Sequence, residues 1–95
     1  MITKQVTVSG AVGKQAIPST QQVVLHGFLF RAATGVTATC TIRDGNASGD
    51  VIADVIVPSN NSHDFNFQGN GGVKFTKGMH VKVIGTNAAA YLYLT

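Results

Sequence analysis

Residues 36–43, Val-Thr-Ala-Thr-Cys-Thr-Ile-Arg, alternate without a break, with Val36, Ala38, Cys40 and Ile42 on one side and Thr37, Thr39, Thr41 and Arg43 on the other. A period of two is the pleat of a half-buried β-strand. Residues 79–86 repeat the pattern, Met79, Val81 and Val83 facing one way and His80, Lys82 and Ile84 the other, so that one apolar residue intrudes on a polar face. Residues 2–8 set Ile2, Lys4, Val6 and Val8 against Thr3, Gln5 and Thr7 with a β-branched bias, and predict an N-terminal strand at a sheet edge.

Between these lie five further apolar runs, at 23–31, 51–57, 63–67, 73–75 and 89–94, giving about eight short strands. Turn chemistry separates them: Asp-Gly-Asn-Ala-Ser-Gly-Asp at 44–50, Pro-Ser-Asn-Asn-Ser at 58–62, Gly-Asn-Gly-Gly at 69–72 and Thr-Lys-Gly at 76–78. No window carries a 3.6-residue apolar period, so helix is expected to be near zero. The predicted fold is all-β, an antiparallel β-sandwich of jelly-roll or Greek-key type, with Val36, Ala38, Cys40, Ile42, Val81 and Val83 in its core. Residues 10–22 hold small, polar and breaker residues with no period. One domain is therefore expected in two parts, an N-terminal strand or arm plus linker over 1–22 and a sandwich body over 23–95. Whether residues 1–9 belong to the body or pair with a neighbouring subunit is left open by the pattern.

Two segments carry more apolar surface than one sandwich face absorbs. Val23-Val24-Leu25 with Phe28-Leu29-Phe30, and Tyr91-Leu92-Tyr93-Leu94, read as apolar on both sides of their strands. A sandwich buries one face of each strand. The second face is expected to meet another copy of the chain, with Phe28, Phe30, Tyr91 and Tyr93 at that interface.

Composition narrows the function by exclusion. With 95 residues, 44% hydrophobic and 12% charged, the chain has room for one small core and no deep multi-residue cleft. The seven Lys and Arg against four Asp are spread along the chain rather than clustered, so neither nucleic acid nor a membrane surface is an expected partner. No run approaches 18 apolar residues, and the N-terminus lacks an apolar leader region, so the expectation is an unprocessed product of the cytoplasm. The single cysteine, Cys40, rules out an intrachain disulfide and falls on the inward side of its strand, as a small core residue.

Candidate chemistry is thin. The Asp44, Asn46, Ser48, Gly49, Asp50 run starts like a calcium loop, but Val55 stands where the bidentate acid belongs and strands flank it, so a turn with Asx-type hydrogen bonds is expected. His26, His63 and His80 lack metal-ligand spacing. His63 and Asp64 are adjacent in a strand and point to opposite faces. Asn46-Ala47-Ser48 and Asn60-Asn61-Ser62 fit the glycosylation pattern, which carries meaning only in a secreted chain. No Gly-x-Ser-x-Gly elbow exists. The reading is a non-enzyme without catalytic, metal or cofactor sites.

From Val36 onward the order is an alternating strand ending Thr-Ile-Arg-Asp-Gly, then Asn-Ala-Ser-Gly-Asp-Val-Ile-Ala, then Gly-Gly-Val-Lys-Phe-Thr-Lys-Gly-Met-His-Val-Lys-Val-Ile-Gly-Thr and a short Tyr-rich final strand. This resembles the small virion proteins of tailed bacteriophages and is similar to capsid decoration (cement) proteins and other small β-sandwich head or tail components. The resemblance covers roughly the last two thirds of the chain and rests on turn signals. Arg43 stands where an aromatic is common in that family, and the 58–64 loop is longer and more polar. The resemblance implies a structural protein on the outer surface of the head, made in the host cytoplasm, that binds the major capsid protein as a homo-oligomer, a trimer by analogy. It would attach through an arm at Ile2, Lys4, Val6 and Val8 that adds a strand to a partner sheet. The other class the resemblance allows is a tail-associated or head-fibre module, with Tyr91, Tyr93 or loop asparagines facing a host-surface carbohydrate.

Overall fold

The computed structural model of the chain describes residues 4–9, 13–18, 20–67 and 71–95. Nine strands run through them, and no helix: β1 (Lys4–Ser9), β2 (Gly13–Ile17), β3 (Val23–Arg31), β4 (Ala38–Asp44), β5 (Val51–Val57), β6 (Ser62–Asn66), β7 (Val73–Phe75), β8 (Met79–Ile84) and β9 (Ala89–Leu94). One antiparallel sheet has the order β1-β9-β3-β6, with β7 also on β3, and the other has the order β2-β8-β4-β5.

The ladders explain why nine elements form an eight-strand architecture. β6 pairs with Gly27–Arg31 and β7 with Val23–Leu25, so the two are halves of one interrupted strand lying along β3. The ladders β1·β9, β2·β8, β3·β6/β7 and β4·β5 are then successive rungs of one long antiparallel ribbon whose turn lies between β4 and β5. Pairing of β9 with β3 and of β8 with β4 wraps that ribbon into two sheets. This wrapping is the jelly roll.

The inner faces of both sheets contribute to one apolar cluster. Val8, Leu25, Phe28, Phe30, Phe75, Leu92 and Leu94 come from the first sheet, and Ile17, Ala38, Cys40, Ile42, Met79, Val81 and Val83 from the second. Among the described residues no polar or charged side chain is fully buried, so the core is held by apolar burial at about 1.5–3 kcal/mol per large side chain. Val36 departs from expectation. It precedes β4, its N–H is bonded to the Ala33 carbonyl at 3.3 Å in a turn, and it is half-buried.

A bulge in β3 corrects the reading of that strand. Strict alternation would put Val23 and Leu25 on one face and Phe28 and Phe30 on the other. The register against β9 slips between Leu25 and Gly27, leaving His26 as the extra residue. All four apolar side chains then face inward and are buried. Opposite the bulge, the Phe67 N–H donates to the His26 carbonyl at 2.8 Å, where β6 gives way to β7. Gly27 is required there, because a Cβ on it would lie 2.4 Å from the Phe65 carbonyl oxygen. β9 alternates cleanly, with Leu92 and Leu94 in and Tyr91 and Tyr93 half-buried on the outer side.

The segment expected to be a linker contains a strand. Gly13–Ile17 pairs with β8 across a bulge between Gln15 and Ile17, and Ile17 is fully buried. With one large apolar residue the run has no legible period, and its place comes from the sheet it joins. The Gln15 side-chain amide helps hold it, lying against the carbonyls of Ile17, Gly45 and Met79.

Candidate functional site

The residues predicted to act at surfaces do not meet in one place. Lys4, Val6 and Val8 lie on β1, which pairs with β9 of the same chain in register from Lys4 opposite Leu94 to Ser9 opposite Ala89. The segment is therefore an intramolecular strand rather than a free arm, and Val8 is buried in the core. Ile2 lies outside the described residues. Phe28 and Phe30, expected at an oligomer interface, are fully buried within the chain and have no surface to offer. The bulge at His26 is the physical reason. Tyr91 and Tyr93 remain half-buried on the outer face of the first sheet, opposite Thr7 and Gln5 of β1.

The large apolar side chains most open to solvent sit on the other sheet. Ile56 is 69% exposed, Ile84 and Val51 each 47%, and Ile52 41%. Thr39 of β4 is opposite both Ile56 of β5 and Ile84 of β8, so the three form one row across the outer face. The next row is Asp54, Thr41 and Lys82, where the Thr41 hydroxyl donates to the Asp54 carboxylate at 3.2 Å. Val51 and Ile52 lie at the opposite end of β5, beside the bulge that separates the Ile42 and Arg43 pairings. β5 ends the order of its sheet, so among the described residues one side of its backbone has no ladder. It is seven residues long, contains neither lysine nor proline, and carries one charge, Asp54. Edge strands usually bear such blunting residues, and one without them is a template for another strand. The sequence signal for this surface is that Val-Ile-Ala-Asp-Val-Ile-Val has aliphatic residues at both parities.

At one end of the sandwich three connections surround a cleft of about 420 Å³. They are residues 32–37 after β3, 58–61 before β6 and 85–88 before β9. Arg31, Asn60, Asn61, Asn87 and Tyr91 line it over a floor that includes Ala89. Backbone bonds pin the walls, with the Ala32 N–H donating to the Asn61 carbonyl at 2.9 Å and the Asn60 N–H to the Ala33 carbonyl at 3.2 Å. In the sequence the 58–62 run reads as a turn, Tyr91 and the loop asparagines enter only through the resemblance as carbohydrate contacts, and nothing marks Asn87 by itself.

The nucleophile and metal candidates are accounted for by structure. Burial pushes the Cys40 thiol up to about 12, with the Asp54 carboxylate adding to the shift, which leaves a protonated and unreactive side chain. In the 44–50 loop, Asn46 Oδ1 accepts from the Ser48 N–H at 2.8 Å and the Arg43 guanidinium donates to the Gly49 carbonyl at 2.9 Å. Among the described residues no three His, Cys, Asp or Glu side chains come together as a metal site. No helix among them is long and apolar enough to cross a membrane. Comparison with protein-family models, with curated proteins and with solved structures returns no match.

Proposed function

We propose that this chain is a structural virion protein, a decoration or cement protein that binds the major capsid protein on the outer surface of a phage head and stabilises the shell. The observation that carries the reading is the β5 edge. An unladdered apolar strand, continuous with the Ile56–Thr39–Ile84 row, offers backbone hydrogen bonds and aliphatic contact together. A lattice protein needs many identical, individually weak contacts, and linking copies into a homo-oligomer raises their combined affinity. A rigid jelly roll presenting a repeating surface suits that task, and the resemblance of residues 36–95 to head and tail components points the same way.

The attachment surface is thus moved from the N-terminal segment to β5 and β8. Charged pairs contribute little, since exposed ion pairs are worth about 0–1 kcal/mol each. The test is the position of the protein in an electron-microscopy map of the particle. The expected result is density on the head exterior with the β5 side against the shell. Density at the tail would transfer the function to the tail or head-fibre class, and absence from the particle would overturn the virion reading.

A further inference from the structure

None of the residues that line the cleft between the 32–37, 58–61 and 85–88 connections belongs to β5 or β8. We propose that this cleft is a binding site for a carboxylated sugar, one whose hydroxyls meet the asparagine amides while its acid group meets Arg31. The argument begins with size and rigidity. About 420 Å³ lies within the roughly 300–1,000 Å³ typical of small-molecule sites. The Ala32–Asn61 and Asn60–Ala33 backbone bonds tie two of the three walls to each other, and a turn bond from the Ala88 N–H to the Gly85 carbonyl at 3.1 Å closes the third. Backbone held in this way needs no reordering on binding, so the ordering cost is confined to the exposed side chains.

The lining chemistry then selects the ligand. Asn60 and Asn87 have φ of 65° and 62°, and among the described residues they are the non-glycine positions in the left-handed region. Both face this one cleft, and backbone of this kind tends to cluster at ligand sites. Both side chains are exposed, and among the described residues neither amide has a hydrogen-bond partner, which leaves each with a donor and an acceptor for a sugar hydroxyl. Asn61 donates its amide to the Ser59 carbonyl at 3.1 Å and keeps its acceptor. Tyr91 supplies a ring with a polar tip beside the small floor at Ala89.

Charge decides between a neutral and an acidic sugar. The lining contains one cation, Arg31, and no carboxylate. Arg31 is exposed at the rim, and a guanidinium there attracts an anion and matches a planar carboxylate through two parallel hydrogen bonds. A phosphate is a poorer match. Phosphate sites use converging backbone N–H groups, and here the N–H groups of Ala32, Val36, Asn60 and Asn61 are already spent on carbonyls.

The experiment is a nuclear magnetic resonance titration of the free full-length protein with two matched probe pairs, trigalacturonate against galactotriose and sialyllactose against lactose, with glutarate as a plain carboxylate. Saturable shifts at Arg31, Asn60, Asn87 and Tyr91 are expected for at least one acidic sugar, with the neutral partner and glutarate each about tenfold weaker or worse. Arg31→Gln should weaken the acidic sugar about tenfold, and Asn87→Gly, which keeps the left-handed backbone, should weaken both members of a pair. Unchanged spectra away from the cleft show that each variant is folded. No saturable binding of either acidic sugar, equal binding of the neutral partner or glutarate, or full binding by Arg31→Gln would overturn the proposal. The titration contains no shells, so its failure leaves the β5 reading standing.

Discussion

The ring of Phe28 on β3 stacks on that of Phe65 on β6, with centroids 4.6 Å apart and planes inclined by 17°. The two residues are direct cross-strand partners. Phe65 is half-buried at the sheet edge, whereas Phe28 is sealed in the core, so the pair carries the core outward to the last strand. Phe28→Ala should cost about 3–5 kcal/mol and Phe65→Ala less than half of that in urea unfolding. A double-mutant cycle should return a coupling of about 0.5–1.5 kcal/mol. Additive losses would mean that the stack contributes only its buried area.

Gly27→Ala should destabilise by about 1–3 kcal/mol despite adding a single methyl, because the new carbon meets backbone at Phe65 rather than a side chain that can move. Thermal unfolding measures it. A neutral result would mean that β6 can shift away from the bulge at little cost.

Cys40 gives a prediction in alkali. Its folded value of about 12 lies above the ordinary 9.0, so between these pH values the unfolded state releases a proton that the native state keeps. The contribution to stability is complete below pH 9 and is lost as pH rises from 9 towards 12. A thiol reagent at pH 8 should modify Cys40 only after denaturant is added. Rapid modification of the native protein would show the strand opening locally.

Much of the fold was legible because its signals are local. The alternation at 36–43 and 79–86, and the turn residues between runs, state strands and their inward faces without tertiary information. What escaped was set by partners distant in the chain. The 13–17 strand has only Ile17 to mark it, and the bulge at His26 depends on the interruption between β6 and β7. That bulge turned Phe28 and Phe30 from expected interface residues into core. The cleft escaped for the same reason, since Arg31 ends β3 while Asn60 and Asn87 come from two later connections, and no spacing links the three.

The proposed homo-oligomer is tested by light scattering at micromolar concentration, where a trimer mass is expected. Tyr93→Asp should keep the β-rich circular dichroism spectrum and lower the mass if the outer face of the first sheet joins copies. Phe30→Asp should instead abolish folding, because it buries an unpaired charge. A monomer mass for the unmodified chain would contradict an oligomer in free solution.

The most direct measurement of the central claim is co-sedimentation with undecorated heads, comparing the full chain with the Ile56→Asp/Ile84→Asp double variant. Ile56 is largely and Ile84 about half exposed, so the variant should stay folded at a cost of about 1–2 kcal/mol, which urea unfolding measures. The full chain should sediment with the heads, moderate salt should leave binding intact because aliphatic and backbone contacts dominate, and the double variant should stay in the supernatant. Equal sedimentation of the folded variant, or no sedimentation of the full chain, would contradict the claim.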